Sequence, residues 1–167
     1  MRCHLKISIQ FYSLNTDNRQ ILEIGTPGAT SSLDTTDPKY AFQNLDDEHW
    51  FSEGGLPQSI WMRYSKEHTV SKIGFTPHWN DYAPVQFDIV GSWNCADPWT
   101  TLLHVKSSGF TNNQNNDGFK SWTVPENNRR PFRCIGLYVI NVLSKEIQHV
   151  TLKDLTIWEE EDLGEGK

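Results

Sequence analysis

The sequence lacks any long hydrophobic run. No stretch of its 167 residues approaches the roughly 18 consecutive apolar residues that a membrane-spanning helix needs. The first residues, MRCHLKISIQFYSL, contain neither a continuous apolar core nor a small-residue cleavage site, so no signal peptide is evident. We therefore expect a protein that is either cytoplasmic or exported without a signal peptide.

Positive charge and catalytic motifs are also scarce. The formal net charge is −6, which argues against broad electrostatic attraction to DNA or RNA. The sequence contains no nucleophile elbow, no Gly-rich phosphate loop and no zinc-ligand spacing. We expect neither a nucleic-acid partner nor enzymatic activity.

Cysteine is sparse and unevenly placed. Cys3, Cys95 and Cys134 are an odd number without a paired spacing, which favours reduced thiols. A single disulfide with one free thiol is the alternative. Cys95 and Cys134 are the pair that could approach each other, whereas we expect no disulfide at Cys3.

Helical periodicity is almost absent, and short segments with a two-residue period replace it. Such segments, broken by turn residues and long loops, predict an all-β fold, an antiparallel β-sandwich. The predicted strands are residues 5–12, 20–24, 59–64, 69–77, 85–93, 100–105, 120–124, 133–141 and 149–158. Phase breaks within two of them predict β-bulges, one near Ser71 and Lys72 and one between Leu152 and Leu155.

The same alternation predicts the core. The residues expected between the two sheets are Ile60, Met62, Ile73, Phe75, Phe87, Ile89, Ile135, Leu137, Val139 and Ile157. If Ile60 and Met62 face inward, Trp61 lies on the outer face, where the N-terminal strand or a partner would cover it.

Five segments resemble a known family when they are taken in order. They are ATSSLDTTDPKYAFQNLDDEHWFSEGG, QSIWMRYSKEHTVSKIGF, VQFDIVGSWNCADPWTTL, PFRCIGLYVI and VTLKDLTIW. Together they are similar to the discoidin domain, or coagulation factor V/VIII type C domain, of the galactose-binding-like jelly rolls, over about residues 24–158. The resemblance implies one jelly-roll domain at residues 1–158 with an added N-terminal strand, followed by an acidic tail at residues 159–167.

The resemblance also implies a structural Ca²⁺ in the first long loop. Ca²⁺ takes six to eight oxygen ligands, and this loop is rich in acids. Its candidate ligands are Gln43, Asp46, Asp47, Glu48 and, closing the site from the last strand, Asp154. The family's Asp-Gly pair is replaced here by Gln43 and Asn44, and the alternative is a solvated acidic loop. Trp50, just after the acids, is expected to be buried at the base of the sandwich.

Ligands of this fold bind at the loop end of the sandwich, where aromatic and polar side chains project. A ring that stacks on a sugar, beside groups that hydrogen-bond its hydroxyls, suits a glycan. The candidate residues are His49, His78, Trp79, Asn80, Asp81, Tyr82, Arg129 and Arg130. The aromatics could instead enter a membrane interface, with the arginines on anionic headgroups, or Trp79 could simply cover the rim.

These observations favour a non-catalytic, lectin-like module that recognises a carbohydrate or cell-surface ligand. The family also contains intracellular protein–protein adaptors, and the absence of a signal peptide suits that alternative. Attachment to phospholipid at a membrane surface is the third interpretation.

Overall fold

The computed structural model of the chain describes residues 18–43, 48–112 and 118–160, and within them the predicted all-β fold is confirmed. Three short 3₁₀ helices interrupt the loops, at Pro38–Phe42, Asn80–Tyr82 and Glu126–Asn128. No helix in these ranges is long and apolar enough to cross a membrane. The strands are β1 (Asn18–Gln20), β2 (Thr26–Ala29), β3 (Trp50–Phe51), β4 (Gln58–Thr76), β5 (Pro84–Ser92), β6 (Thr100–Val105), β7 (Lys120–Thr123), β8 (Pro131–Val142) and β9 (Thr151–Glu160).

Strand β4 belongs to both layers of the sandwich. Its first half pairs with β2 and β8, and β8 continues through β5 to β6. Its second half pairs with β7 and β9, and β9 also pairs with β1 and β3. All pairings are antiparallel. The two predicted strands at 59–64 and 69–77 are therefore one long strand, which folds the sheet over on itself.

The predicted core is confirmed at nine of its ten positions. Ile60, Ile73, Phe75 and the six others are buried, whereas Met62 is only partly buried and packs against the core. Phe75 on β4 meets Phe87 on β5 with ring centroids 5.5 Å apart. This contact joins the two layers across the interior.

Both predicted bulges are present. The register between β4 and β9 shifts between Val70 and Lys72. It shifts again where β9 passes Asp154, whose φ of +55° lies in the left-handed region. An extra residue at each point lets apolar side chains on both sides of the shift face inward.

Two boundary predictions are wrong. Residues 21–24 are not a strand, because only Ile21 faces the core while Leu22 and Ile24 project into solvent. At the other end, Glu159 and Glu160 belong to β9 rather than to the acidic tail. The predicted strand at 5–12, Cys3 and the rest of the tail lie outside the described residues.

The expectation of reduced thiols at Cys95 and Cys134 is also wrong, because the two form a disulfide. Cys134 points to the outer face of β8, opposite in phase to Ile135, and the loop after β5 folds over that face. The same loop brings Trp99 to within 5.7 Å of the Trp61 ring. On its other side Trp61 lies against Gly28 of β2, where a Cβ would come within 2.6 Å of the indole. Among the described residues, β2 and this loop are thus what covers Trp61.

A buried histidine ties the N-terminal segment to both layers. The His68 ring contacts Glu23 Oε2 at 2.8 Å and Glu159 Oε2 at 2.6 Å. Since carboxylates only accept, both ring nitrogens donate. Hydrogen bonds from Ser65 and then His68 lower the pKa of Glu23 to about 2. Burial alone would raise the pKa of Glu159, but hydrogen bonds from Arg19 and His68 lower it.

Candidate functional site

Six aromatic rings meet at one end of the sandwich, and we call them the aromatic cluster. Three segments converge there: β3 with the residue before it, the loop after β4, and the residue two positions before β9. They converge because Phe51 on β3 pairs with Thr151, at the start of β9, and the end of β4 pairs with Lys153. The members of the cluster are His49, Phe51, His78, Trp79, Tyr82 and His149.

Trp79 lies at the centre of the cluster and is 47% exposed. Its ring centroid is 4.5 Å from that of His78, 5.2 Å from that of His49 and 5.6 Å from that of Tyr82. Phe51 contacts it from the β3 side at 6.0 Å. The neighbouring rings hold the indole in place while leaving part of its face open to a ligand.

Backbone hydrogen bonds fix the loop that carries Trp79. The Trp79 N–H donates to Thr151 Oγ1 at 3.3 Å, and the Tyr82 N–H donates to the Trp79 carbonyl at 3.1 Å. The Ser144 N–H donates to the Asp81 carbonyl at 3.0 Å, which ties the loop to the segment after β8. The site is therefore preorganised, which reduces the entropy that a ligand must remove on binding.

The histidines place polar atoms beside the rings. His49 and His78 stack with centroids 3.8 Å apart and planes within 4°. His149 Nδ1 donates to the Ser52 carbonyl at 3.0 Å, so the neutral ring presents Nε2 as an acceptor. Asp81 is exposed on the same loop as Trp79. Acceptors beside an open ring are what a sugar with hydroxyl donors requires.

The structure brings together most of the predicted ligand residues but not the arginines. Arg129 pairs with Glu160 at the end of β9, and its Nε donates to the Val124 carbonyl at 2.9 Å. The cluster lies at the opposite end of β9, about 30 Å away at roughly 3.3 Å per residue. The prediction that Arg129 and its neighbour Arg130 share a site with Trp79 is therefore wrong.

Sequence reasoning missed Phe51 and His149. A signal for Phe51 was present, because Trp50 is buried and the next residue of a strand faces the other way. His149 joins the cluster only through the pairing of β3 with β9, which the sequence does not reveal.

The predicted burial of Trp50 is confirmed, since its side chain is fully buried. The indole N–H donates to the Ser32 hydroxyl at 2.9 Å and lies 3.1 Å from the Ser31 carbonyl oxygen. It anchors the loop that precedes β3 to the segment after β2.

Two of the candidate Ca²⁺ ligands lie close in register. Trp50 pairs with Leu152, and continuing that antiparallel register brings Glu48 level with Asp154. Glu48 Oε2 and Asp154 Oδ1 are both buried, and neither has a hydrogen-bond partner among the described residues. A buried carboxylate oxygen without a partner is costly, and a bound cation would remove that cost.

The rest of the proposed ligand set is less complete. Gln43 follows the 3₁₀ helix at Pro38–Phe42, whereas Asp46 and Asp47 lie outside the described residues. Within the described ranges, no group of three or more His, Cys, Asp or Glu side chains is arranged to hold a metal. The two carboxylates present, Glu48 and Asp154, are oxygen donors of the kind that a hard cation such as Ca²⁺ takes.

Comparison with known proteins gives matches in structure only. No protein-family model matches the chain, and no curated protein matches its sequence. The family 32 carbohydrate-binding module of Clostridium perfringens NanJ, solved in complex with galactose, aligns with 19% identity and a TM-score of 0.69. That alignment covers 86% of this chain and 100% of the module.

Two further modules of the same type are similar. A family 32 module from Clostridium perfringens in complex with GalNAc-β-1,3-galactose has 12% identity and a TM-score of 0.64, covering 79% of this chain and 93% of its own. The module of AlyQ in complex with 4,5-unsaturated mannuronic acid has 18% identity and a TM-score of 0.63, covering 84% and 97%. These likenesses are at the level of the fold, an antiparallel β-sandwich of the jelly-roll type, which is the fold that the sequence predicted.

Proposed function

We propose that the aromatic cluster binds a sugar and that the protein is a non-catalytic, lectin-like recognition module. The observation that carries this proposal is the half-exposed Trp79 ring, held by its neighbours and flanked by hydrogen-bonding groups. Similar solved structures in complex with galactose, GalNAc-β-1,3-galactose and an unsaturated mannuronic acid support it.

The charges of the protein favour an uncharged sugar. The net charge is −6, and Arg129 is engaged by Glu160 far from the cluster. Asp81 adds a negative charge beside Trp79. A galactose-type hexose or N-acetylhexosamine therefore fits better than a uronic acid, whose carboxylate would be repelled.

The Cys95–Cys134 disulfide is evidence about the cellular compartment in which the protein works. Disulfides persist in oxidising environments and are rare in the cytosol. It supports a module that works outside the cytosol, on a cell-surface or extracellular glycan, over the alternative of an intracellular adaptor.

Glycan-array screening, followed by calorimetry with galactose and GalNAc-β-1,3-galactose, tests the proposal. Trp79→Ala should weaken binding by about tenfold or more, since stacking on the ring is lost. Trp93→Ala is the matched control, because Trp93 is 56% exposed but lies on the disulfide-bonded loop after β5, outside the cluster. No binding to any sugar, or equal binding by the Trp79 variant, would remove the proposal.

We also propose that the loop before β3 holds a structural Ca²⁺. Glu48 and Asp154 would supply carboxylate oxygens, and backbone carbonyls and neighbouring loop side chains would complete the set. When bound, the ion would fix the loop that leads into His49 and Phe51. Melting the wild-type protein in Ca²⁺ and in chelator tests this, because an ion that binds only the folded state must raise the melting temperature.

A further inference from the structure

A groove of about 750 Å³ runs along the outer face of β8, next to the aromatic cluster. Tyr138 and Ile140 lie along the groove, and Leu56 with Pro57 line it on the side of β4. The segment that follows β8, residues 143–145 with residues 147 and 148, also lines it. The groove lies on the outer face because the alternate residues of β8, Leu137 and Val139, are fully buried in the core.

The groove and the aromatic cluster share one wall. His149 belongs to the cluster, whereas its neighbour Gln148 lines the groove. The N–H groups of Leu143 and Ser144 donate to the carbonyls of Ala83 and Asp81, each at 3.0 Å. The segment between β8 and β9 is therefore fixed to the loop that carries Trp79. The groove and the aromatic cluster consequently keep a fixed position relative to each other.

The chemistry of the groove resembles that of the cluster. Tyr138 is 38% exposed and offers an aromatic face. Asn141 Nδ2 donates to Gln86 Oε1 at 2.7 Å, which orients the amide and keeps its oxygen as an acceptor. Gln148 is exposed and adds a second amide. The rest of the lining is mostly apolar, with Lys145 as a charged member. An aromatic face beside apolar side chains and amides suits the C–H face and the hydroxyls of a sugar.

The distance between the aromatic cluster and Tyr138 in the groove fits a chain of sugars rather than a single sugar. Val142 pairs with Pro84, two residues beyond Tyr82 of the cluster. From Val142 to Tyr138 is about 13 Å along the strand, at roughly 3.3 Å per residue. A single hexose does not bridge that distance, whereas a short oligosaccharide does.

We propose that the groove is a second subsite, which takes the continuation of a glycan whose terminal sugar occupies the aromatic cluster. The protein then recognises an uncharged oligosaccharide rather than an isolated terminal sugar. This inference rests on the proposed function, and it adds Tyr138, Asn141 and Gln148 as residues that set the preferred chain length.

Calorimetry with galactose and β-1,4-galactotetraose separates the two proposals. The wild-type protein should bind the tetrasaccharide about tenfold more tightly than galactose, because a second sugar ring stacks on Tyr138. Tyr138→Ala should abolish that gain while leaving the affinity for galactose within about twofold of wild type. Tyr138→Phe should keep the gain, since it keeps the ring, and Trp93→Ala should keep it as the control outside the groove.

Each outcome has a distinct meaning. Equal affinity for the two probes, or a gain that survives in Tyr138→Ala, overturns the second subsite and leaves the aromatic cluster as the site for a terminal sugar. Binding of neither probe, together with no binding to any sugar on the glycan array, overturns both proposals together. Because Tyr138 is exposed, its variants should melt at the wild-type temperature, and circular dichroism checks that a lost gain is not lost folding.

Discussion

Glu23 stays ionised at unusually low pH because Ser65 and His68 hydrogen-bond to its carboxylate and bring its pKa to about 2. An unfolded chain titrates its Glu residues near about pH 4.3. Because the folded value is the lower one, the unfolded chain binds more protons in this window. The stabilisation is full above about pH 4.3 and is lost as the pH falls towards 2.

Glu23→Gln should therefore lower the melting temperature at pH 7 and have little effect near pH 2. Thermal melts of both proteins at about pH 7, 4 and 2 span the window that the pKa shift of Glu23 defines, and they measure this difference in melting temperature. Glu67→Gln is the control, because Glu67 is exposed on the same strand, β4. A deficit for Glu23→Gln that is as large at pH 2 as at pH 7 would mean that ionisation of Glu23 is not what stabilises the fold.

At the scale of elements, β9 carries a feature that packing alone does not require. Asp154 has a φ of +55° and a buried Oδ1 without a hydrogen-bond partner among the described residues. A left-handed conformation costs a non-glycine residue about 1 kcal/mol. A strained backbone and an unsatisfied carboxylate at one residue are the costs that a bound cation would offset.

Asp154→Gly tests whether a cation offsets them. In chelator the variant should melt at or above the wild-type temperature, because the left-handed strain and a buried oxygen without a hydrogen-bond partner are removed. In Ca²⁺ only the wild type should gain, by roughly 2.7 kcal/mol at a hundred times the dissociation constant. Asp154→Asn, which tolerates the same backbone but has no charge, is the control for strain. A wild-type melting temperature that ignores both Ca²⁺ and chelator would leave the cation proposal without support.

The elements also show what a sequence can reveal. Strands β5 to β9 were predictable because alternation survives wherever one face is buried, and the bulges were predictable because they break that alternation. The segment at residues 21–24 is as rich in β-branched and aliphatic residues as those strands, yet it leaves Leu22 and Ile24 in solvent. Composition alone does not show whether the edge of a sheet lies beside such a segment and is available to pair with it.

The candidate site was predictable only in its local part. His78, Trp79 and Tyr82 are close in sequence, so one loop carries them together. His149 and Phe51 join them through long-range pairing, and the Cys95–Cys134 disulfide arises because a loop folds over the outer face of β8. The wrong placement of Arg129 has the same cause, since polar loops lie at both ends of the sandwich and the sequence does not say which end a loop occupies.

At the scale of the whole molecule, charge and geometry disfavour attachment to an anionic membrane. Such binding needs exposed basic residues beside the inserted aromatics. Here the Arg129 side chain is only 8% exposed and paired with Glu160, about 30 Å along β9 from Trp79 at roughly 3.3 Å per residue. The net charge of −6 adds a general repulsion from anionic lipid.

We therefore expect the protein to stay in the supernatant when phosphatidylserine vesicles are sedimented at low salt, where electrostatic attraction is strongest. The aromatic cluster should remain available to galactose in the same sample, because a ring that stacks on a neutral sugar needs no basic partner. Sugar binding should likewise change little with ionic strength. Sedimentation of the wild type with vesicles, lost in Trp79→Ala but kept in Trp93→Ala, would instead make the cluster a membrane anchor and displace the glycan proposal.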